Sequence, residues 1–219
     1  MQQNAAISVE AATYRRLIKC EGKLALKIRQ RYPKLIGQGA AIEAINRYHK
    51  ALAEQWRQRW EGELAKLACE AMAQQEGEER PPWEAVLDFT VTYHEDSLLS
   101  LYTDAYEFTG GAHGHTVRRG DTWDTAEGLP RSLFSFFPSE CHPKRLSLAE
   151  ITAQTQTMQT SGEHLFFDDV EVLIRENFDP ALFYLTPDGV AVFYPLYAIA
   201  PYVEGFPTFV LDADFARNL

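Results

Sequence analysis

Residues 106–115 have the sequence YEFTGGAHGH, and they follow directly on an apolar, strand-like run. That run ends abruptly at Gly110 and Gly111, and a third glycine lies between two histidines, His113 and His115. Glycines concentrated in this way mark backbone that needs a positive φ or very close approach by another group. Beside a strand, they predict a bulge or a sharp exit from the sheet rather than a flexible linker.

Strands are predicted on both sides of this segment. Apolar and polar residues alternate over residues 83–96, and a short turn leads from there into the strand that ends at the glycines. A third strand follows over residues 116–124. Further on, residues 181–194 read as a hairpin that turns at Pro187-Asp188-Gly189, and residues 206–211 read as a last strand. Alternation of this kind is typical of an antiparallel sheet with one face exposed to water.

The first eighty residues combine a hairpin with a long helix. Two extended segments are separated by Glu21-Gly22, which predicts the turn of a hairpin. Apolar residues then recur with a helical period from Ala40 to about Gln75, and Gly62 predicts a bend or break in that helix. The polar run over residues 74–82 ends in two prolines and predicts a subdomain boundary. The predicted buried face of the helix is Ile42, Ile45, His49, Leu52, Trp56, Leu64, Leu67 and Ala71.

Two shorter helices are predicted in the second half. Ser147 and Glu150 form a capping box, which predicts a helix from Ser147 to about Gln159. The pair Asp168-Asp169 predicts the start of another helix. We therefore expect an α+β fold, in which helices pack on one face of an antiparallel β-sheet, in two closely joined subdomains. The predicted division is an N-terminal α+β subdomain over residues 1–80 and a C-terminal domain over residues 81–219.

Composition excludes some classes of function. The formal net charge of −10 argues against a nucleic-acid partner, because phosphate binding needs clustered Lys and Arg. The same charge permits long-range attraction of a cationic partner. Three widely spaced cysteines (Cys20, Cys69 and Cys141) match no zinc-site spacing. One disulfide with a free thiol is an alternative, but we expect three buried thiols.

No membrane segment or leader is predicted. No apolar run approaches the roughly 18–20 residues that cross a bilayer. The start of the sequence, MQQN, lacks the basic region followed by an apolar one that makes a signal peptide. From these features alone we expect a cytoplasmic chain, unless a leader or anchor precedes the residues given.

Three blocks of sequence resemble one known family. They are YEFTGGAHG over residues 106–114, TWDTAEG over 122–128 with LF at 133–134, and FYLTPDG over 183–189 followed by VFYP and YAIAPY up to residue 202. The pattern is similar to the C-terminal extracytoplasmic domain of the anti-sigma factor RsiV, a module also found beside peptidoglycan deacetylase domains. The third block is the most specific, because aromatic residues, two prolines and a turn recur there in order.

The resemblance implies an α+β domain that works outside the cytoplasm as a sensor or accessory of the cell wall. It also implies recognition of lysozyme or of peptidoglycan. The chain lacks the sigma-binding segment, the transmembrane helix and the deacetylase domain of such relatives. We therefore carry over neither sigma-factor binding nor deacetylation.

The candidate site residues follow from the glycine-rich segment and from the third block. We predict no catalytic residue, metal ligand or cofactor, because the serines lack a G-x-S-x-G context and His113 and His115 form only a lone His-x-His pair. His113 is expected to bond a backbone group and lock the exit from the strand. One alternative is a metal-dependent hydrolase centred on His113 and His115, and another is a structural accessory domain with no ligand. The predicted binding residues are Gly110, Gly111, His113, Tyr194, Tyr197 and Tyr202.

Overall fold

The computed structural model describes residues 7–74, 81–138 and 142–212. Within them the chain forms two compact units. Of the described residues, the first unit comprises 7–74, 81–90, 103–118 and 125–129, and the second unit comprises 91–102, 119–124, 130–138 and 142–212. The predicted connection over residues 74–82 lies largely outside the described residues. The division of the chain at residue 80 stays a prediction.

Strands of the described residues form two sheets. The first has the order β1-β2-β3-β4-β5-β6 and the second has the order β7-β8-β9. The predicted hairpins are confirmed, since Glu21 and Gly22 both have positive φ in the turn between the first two strands. The bounds are β1 Ser8–Cys20, β2 Lys23–Ile36, β3 Trp83–Glu95, β4 Leu98–Phe108, β5 His115–Asp124, β6 Leu129–Pro130, β7 Phe183–Thr186, β8 Gly189–Phe193 and β9 Thr208–Asp212.

One strand pair departs from the expected antiparallel sheet. Strand β2 pairs with β3 in parallel, with Leu26 opposite Trp83 and Gln30 opposite Leu87. The physical reason is the helical segment between them, because parallel neighbours need a long crossover connection. Strand β1 pairs with β2, β7 with β8 and β8 with β9, all antiparallel. The predicted α+β class is therefore confirmed, with sheets in which antiparallel pairing dominates.

The long helix is interrupted close to Gly62. Helix α1 spans Ala40–Arg59, a π-helical turn spans Trp60–Leu64, and helix α2 spans Ala65–Ala73. A π-turn contains one residue more than an α-turn, so the buried face moves by one position beyond it. The prediction that Leu67 and Ala71 are buried is therefore wrong, and both are exposed. The buried positions after the turn are Leu64, Ala65 and Ala68.

The first unit has a core between its helices and the β2-β3 pair. Trp60 is fully buried there, and its indole Nε1 donates to Glu107 Oε1 at 2.7 Å. That bond satisfies the indole N–H, which is an obligatory donor when buried. Other members of this core are Leu26, Ile28, Ala53, Leu64, Ala68, Ala85, Leu87 and Ala105.

Two cysteines are paired, contrary to the expectation of three thiols. Cys20 at the end of β1 and Cys69 in α2 form a disulfide, with 5.7 Å between their Cα atoms. Because α2 packs on the β1-β2 hairpin, residues 49 positions apart meet there. Sequence spacing alone could not show that packing. Cys141 lies outside the described residues.

The helices of the second unit are α3, Pro143–Ser161, and α4, Val170–Glu176. Helix α3 begins with Pro143 at its first turn and ends at Gly162, which has the left-handed conformation. The predicted capping box is therefore wrong: Ser147 lies inside the helix and is buried. Helix α4 confirms the predicted start at Asp168-Asp169, because Asp169 is its N-cap.

The core of the second unit joins these helices to the three-stranded sheet. Its buried members include Leu133, Phe136, Ile151, Ile174, Phe183, Val190, Val192, Tyr194, Phe209 and Leu211. Gly120 of β5 lies against β7 so closely that a Cβ atom there would be 1.9 Å from the carbonyl oxygen of Phe183. No larger residue fits at this position without a backbone shift.

Candidate functional site

The glycine-rich segment makes the sharp exit that the sequence predicts. Gly110 has φ 92° and Gly111 has φ 96°, a region that residues with a Cβ atom rarely adopt. Gly114 is required for a different reason, since a Cβ atom there would lie 2.3 Å from the Tyr106 ring and 2.7 Å from the carbonyl oxygen of Glu107. The segment is thus a rigid corner between β4 and β5, as predicted.

His113 and His115 are both exposed. The Nδ1 atom of His113 donates to the carbonyl oxygen of Gly114 at 3.0 Å. The predicted bond to a backbone group is therefore confirmed. Among the residues that the structure describes, no three His, Cys, Asp or Glu side chains are grouped so that they could hold a metal ion.

A groove of about 440 Å³ lies beside the two glycines, and we call it the glycine groove. Its lining is largely apolar, and the Trp83 side chain stands at its edge next to Gly110, whose Cβ position is 4.0 Å from the indole nitrogen. Sequence reasoning identified the glycines but not the groove. The lining residues are Ala25, Ala68, Ala71, Met72, Pro81, Pro82, Trp83, Phe108, Thr109, Gly110 and Gly111.

The three candidate tyrosines occupy different environments. Tyr194 is buried, with 1% of its surface exposed, and its hydroxyl donates to the carbonyl oxygen of Ile174 at 3.0 Å. Burial raises the pKa of that hydroxyl above its ordinary value. Tyr194 therefore supports the core, and a ligand cannot reach it while the unit is folded. Tyr197 and Tyr202 lie nearer the surface, and the exposed fraction of Tyr197 is 50%.

Tyr197 has an unusual backbone. Its φ is 63°, in the left-handed region that aromatic residues seldom occupy. The turn that holds it includes a hydrogen bond from the Ala198 N–H to the carbonyl oxygen of Pro195 at 3.1 Å. Its ring lies 5.7 Å from the Tyr202 ring, with 35° between the two planes. Strain of this kind is concentrated at functional sites, and it indicates that the position of this ring matters.

Exposed apolar side chains also occur on the segments at residues 165–167 and 202–203. Leu165 is 57% exposed and Val203 is 76% exposed. The two segments that carry them are tied together, since the Phe167 N–H donates to the carbonyl oxygen of Ile199 at 3.1 Å. We call the group of Leu165, Phe167, Tyr197, Tyr202 and Val203 the tyrosine patch. Single exposed apolar residues are ordinary, but several on two segments that are hydrogen bonded to each other make this group a candidate binding surface.

A carboxylate fixes one side of the tyrosine patch. Glu204 accepts a hydrogen bond from His164 Nδ1 at 3.0 Å and another from the Leu165 N–H at 2.9 Å. The bond from His164, followed by the bond from Leu165, holds the pKa of the Glu204 carboxyl below its ordinary value. Sequence reasoning missed His164, Leu165 and Glu204, because they lie in irregular segments where no periodic signal exists.

The fold and the matches to known proteins define the class. A family model described as "Deacetylase PdaC" matches residues 19–116, and one described as "Protein of unknown function (DUF3298)" matches residues 140–214. These matches support a domain of the PdaC/DUF3298 type. The narrower resemblance to RsiV stays a prediction. No curated protein matches the chain.

Two solved structures have the same fold. A DUF3298-family protein from Bacteroides fragilis superposes with a TM-score of 0.70 at 14% identity, over 100% of this chain and 95% of that one. A DUF3298-family protein from Pseudomonas aeruginosa superposes with a TM-score of 0.63 at 20% identity, over 98% of this chain and 94% of that one. At these identities the likeness shows the fold alone. None of the helices in the described ranges is long and apolar enough to cross a membrane.

Proposed function

We propose that this chain is a noncatalytic recognition domain of the cell envelope, and that its tyrosine patch binds a cationic, lysozyme-like protein. The single observation that carries the proposal is the patch itself: two tyrosine rings in tilted contact, one on strained backbone, with exposed apolar side chains on the same and the adjoining segment. Tyrosines of this kind are typical anchors of protein interfaces. An apolar surround suits a protein partner better than a sugar, whose hydroxyl groups need hydrogen bonds.

Charge supports a cationic partner. The net charge of −10 attracts a positively charged protein at long range and raises its association rate. The disulfide between Cys20 and Cys69 supports a location outside the cytoplasm, because such bonds persist in oxidising compartments. The match to a model described as a deacetylase fits an envelope protein as well.

The experiment is a titration of the purified chain with a cationic lysozyme by calorimetry. We expect the wild type to bind lysozyme, and we expect the affinity of the Tyr197→Asn variant to be at least tenfold lower. Asparagine tolerates positive φ, so this variant removes the ring and keeps the backbone. Leu129→Ala removes another exposed apolar side chain, one outside the patch, and is the matched control. Binding that Tyr197→Asn leaves unchanged would contradict the proposal.

A cell-wall glycan is the second candidate ligand, and the glycine groove favours it. Trp83 at the groove edge offers an apolar face, and the neighbouring glycines permit close approach of a ligand to the backbone. Titration with soluble peptidoglycan fragments, using Trp83→Leu as the variant, distinguishes this ligand from the protein. Absence of binding to both probes would favour the structural accessory domain.

The hydrolase alternative depends on His113 and His115. Both are exposed, and the described residues supply no third ligand near them. Metal analysis of the purified chain tests this alternative directly. Stoichiometric zinc or iron that is lost in a His113→Ala/His115→Ala double variant would favour the hydrolase.

A further inference from the structure

Positive charge is concentrated in the β1-β2 hairpin. Eight of the chain's 21 basic residues lie between residues 8 and 36, together with only two of its 31 acidic residues. The hairpin therefore has a net charge of +6, while the rest of the chain has −16. The negative net charge of the whole protein does not reveal this basic segment, and the proposed function does not involve it.

Side chains on the outer face of the hairpin form a regular grid. Residues directly opposite each other in neighbouring strands point to the same side of a sheet, and residues two apart continue that face. The registers of β1 with β2 and of β2 with β3 therefore align two rows, and the ion pair between Arg31 and Asp88 defines a third row beside them. We call them the outer grid. The rows are Leu17, Lys27 and Glu84; Arg15, Arg29 and Val86; and Thr13, Arg31 and Asp88.

The outer two rows are neutralised, and the central row is not. Lys27 Nζ lies 3.2 Å from Glu84 Oε1, and Arg31 Nη1 lies 3.0 Å from Asp88 Oδ1. In the central row, Arg15 faces Arg29 directly and the third position is Val86. Within the described part of the chain, Arg15 and Arg29 form no ion pair or side-chain hydrogen bond, and both are exposed.

Two like charges directly opposite each other destabilise a sheet. A carboxylate at the valine position would offset that cost. In the rows above and below, the single cations Lys27 and Arg31 are each paired with a carboxylate. The central row is thus the one place on the grid where an added carboxylate is favourable. Two guanidinium groups side by side suit such a group well, because each offers a fork of N–H donors.

Strand β1 lies at the edge of its sheet in the described strand order. An edge strand presents N–H and C=O groups to any extended chain that lies beside it. Its pairing with β2 keeps one register from Ser8 to Ile18, so no bulge interrupts the strand over that length. At its centre, next to Arg15, the Leu17 side chain is 63% exposed.

We propose that the edge of β1 binds an extended acidic segment of a partner protein, which adds to the sheet as a further strand. The added strand extends each row of the outer grid by one residue. A Glu or Asp opposite Arg15 supplies the carboxylate that the central row lacks. An apolar residue two positions away covers Leu17.

Charge favours this occupant over a second copy of the chain. Pairing of two β1 strands would bring Arg15, Arg16 and Lys19 of one copy close to the same residues of the other. Charged side chains on edge strands prevent such pairing of identical edges. The same side chains attract an acidic strand.

The test uses a peptide labelled at its amino terminus, tetramethylrhodamine-Thr-Val-Thr-Glu-Thr-Val-Thr-amide, titrated by fluorescence anisotropy. Its alternation places Val, Glu and Val on one face. We expect the wild type to bind this peptide, and we expect the affinity of the Arg15→Glu and Arg29→Glu variants to be at least tenfold lower. The control Arg145→Glu makes the same charge change on an exposed arginine of α3 and is expected to bind as the wild type does. A peptide with Lys in place of Glu is expected not to bind.

Hydrogen exchange of the β1 amides separates strand addition from simple charge attraction. Slower exchange along β1 in the presence of the peptide supports the proposal. Loss of binding in the arginine variants with unchanged β1 exchange overturns it, because the contact is then through charge alone. Failure of the peptide to bind, or equal binding to Arg15→Glu, also overturns it. Sedimentation showing that the chain self-associates through Arg15 would make a second copy the occupant and would overturn it too.

Discussion

Removal of the disulfide between Cys20 and Cys69 is the perturbation whose magnitude the structure fixes best. The bond closes a loop between residues 49 positions apart, which includes the whole of β2 and of α1. In the chain-entropy model a loop of this length constrains the unfolded chain by about 14 cal/mol/K, or about 4 kcal/mol at 25 °C. We expect a Cys20→Ala/Cys69→Ala double variant to lose about that much stability.

Urea unfolding followed by tryptophan fluorescence measures this loss. Three of the four tryptophans (Trp56, Trp60 and Trp83) belong to the first unit, where the disulfide lies, so the signal reports mainly on that unit. With a slope of about 2 kcal/mol per molar urea, the midpoint should fall by about 2 M. Reductant should move the wild type to the same midpoint and leave the double variant unchanged.

Thiol counting supplies the control for this prediction. The denatured, non-reduced chain should show one reactive thiol, from Cys141, and three after reduction. Three thiols before reduction would mean that Cys20 and Cys69 do not pair. A midpoint that reductant does not move, in a protein with one thiol, would refute the argument from loop closure.

The remaining predictions concern glycines. The Gly111→Val variant should lose about 1–3 kcal/mol of folding stability. Nothing lies within 4 Å of the Cβ position, so only the positive φ opposes the substitution. Unchanged thermal stability would contradict this explanation of the glycine-rich segment. Gly120→Ala should cost about 1–3 kcal/mol, because its Cβ would overlap the carbonyl oxygen of Phe183. Gly62→Ala is the control, since its Cβ position is open and it lies in a helical turn, and we expect it to stabilise the chain by roughly 0.5–1 kcal/mol. Thermal unfolding of the three variants in parallel checks all of these values.

Local signals in the sequence predicted the elements that depend on local physics. Positive φ occurs in the turn at Glu21-Gly22, in the corner at Gly110-Gly111 and at the end of α3, Gly162. Glycine adopts positive φ at little cost, so a glycine in the sequence predicts such a position. The buried face of the helix was predicted correctly at Ile42, Ile45 and His49. Leu64 is also buried as predicted, but the prediction is wrong at Leu67 and Ala71, because the π-turn around Gly62 moves the buried face by one position.

Features that depend on long-range packing could not be predicted from the sequence. Ser147 has the residue pattern of an N-cap, yet Pro143 begins the helix one turn earlier and Ser147 is buried. Tyr194 and Tyr197 look equivalent in the sequence, but Pro195 lies between them and the chain turns. One ring therefore enters the core and the other reaches the surface. His164 and Glu204 are 40 residues apart and meet only because two irregular segments are hydrogen bonded to each other.

Net charge describes the whole chain, whereas binding at one surface depends on the charges close to that surface. A charge of −10 predicts how the whole chain behaves at long range, and it favours a cationic partner. At physiological ionic strength, however, charges farther apart than about 8 Å are largely screened. A group that contacts Arg15 and Arg29 therefore interacts with those two guanidinium groups and hardly with the distant carboxylates. Acidic and basic partners can bind to one chain at different surfaces, because each contact is decided by the charges within that distance.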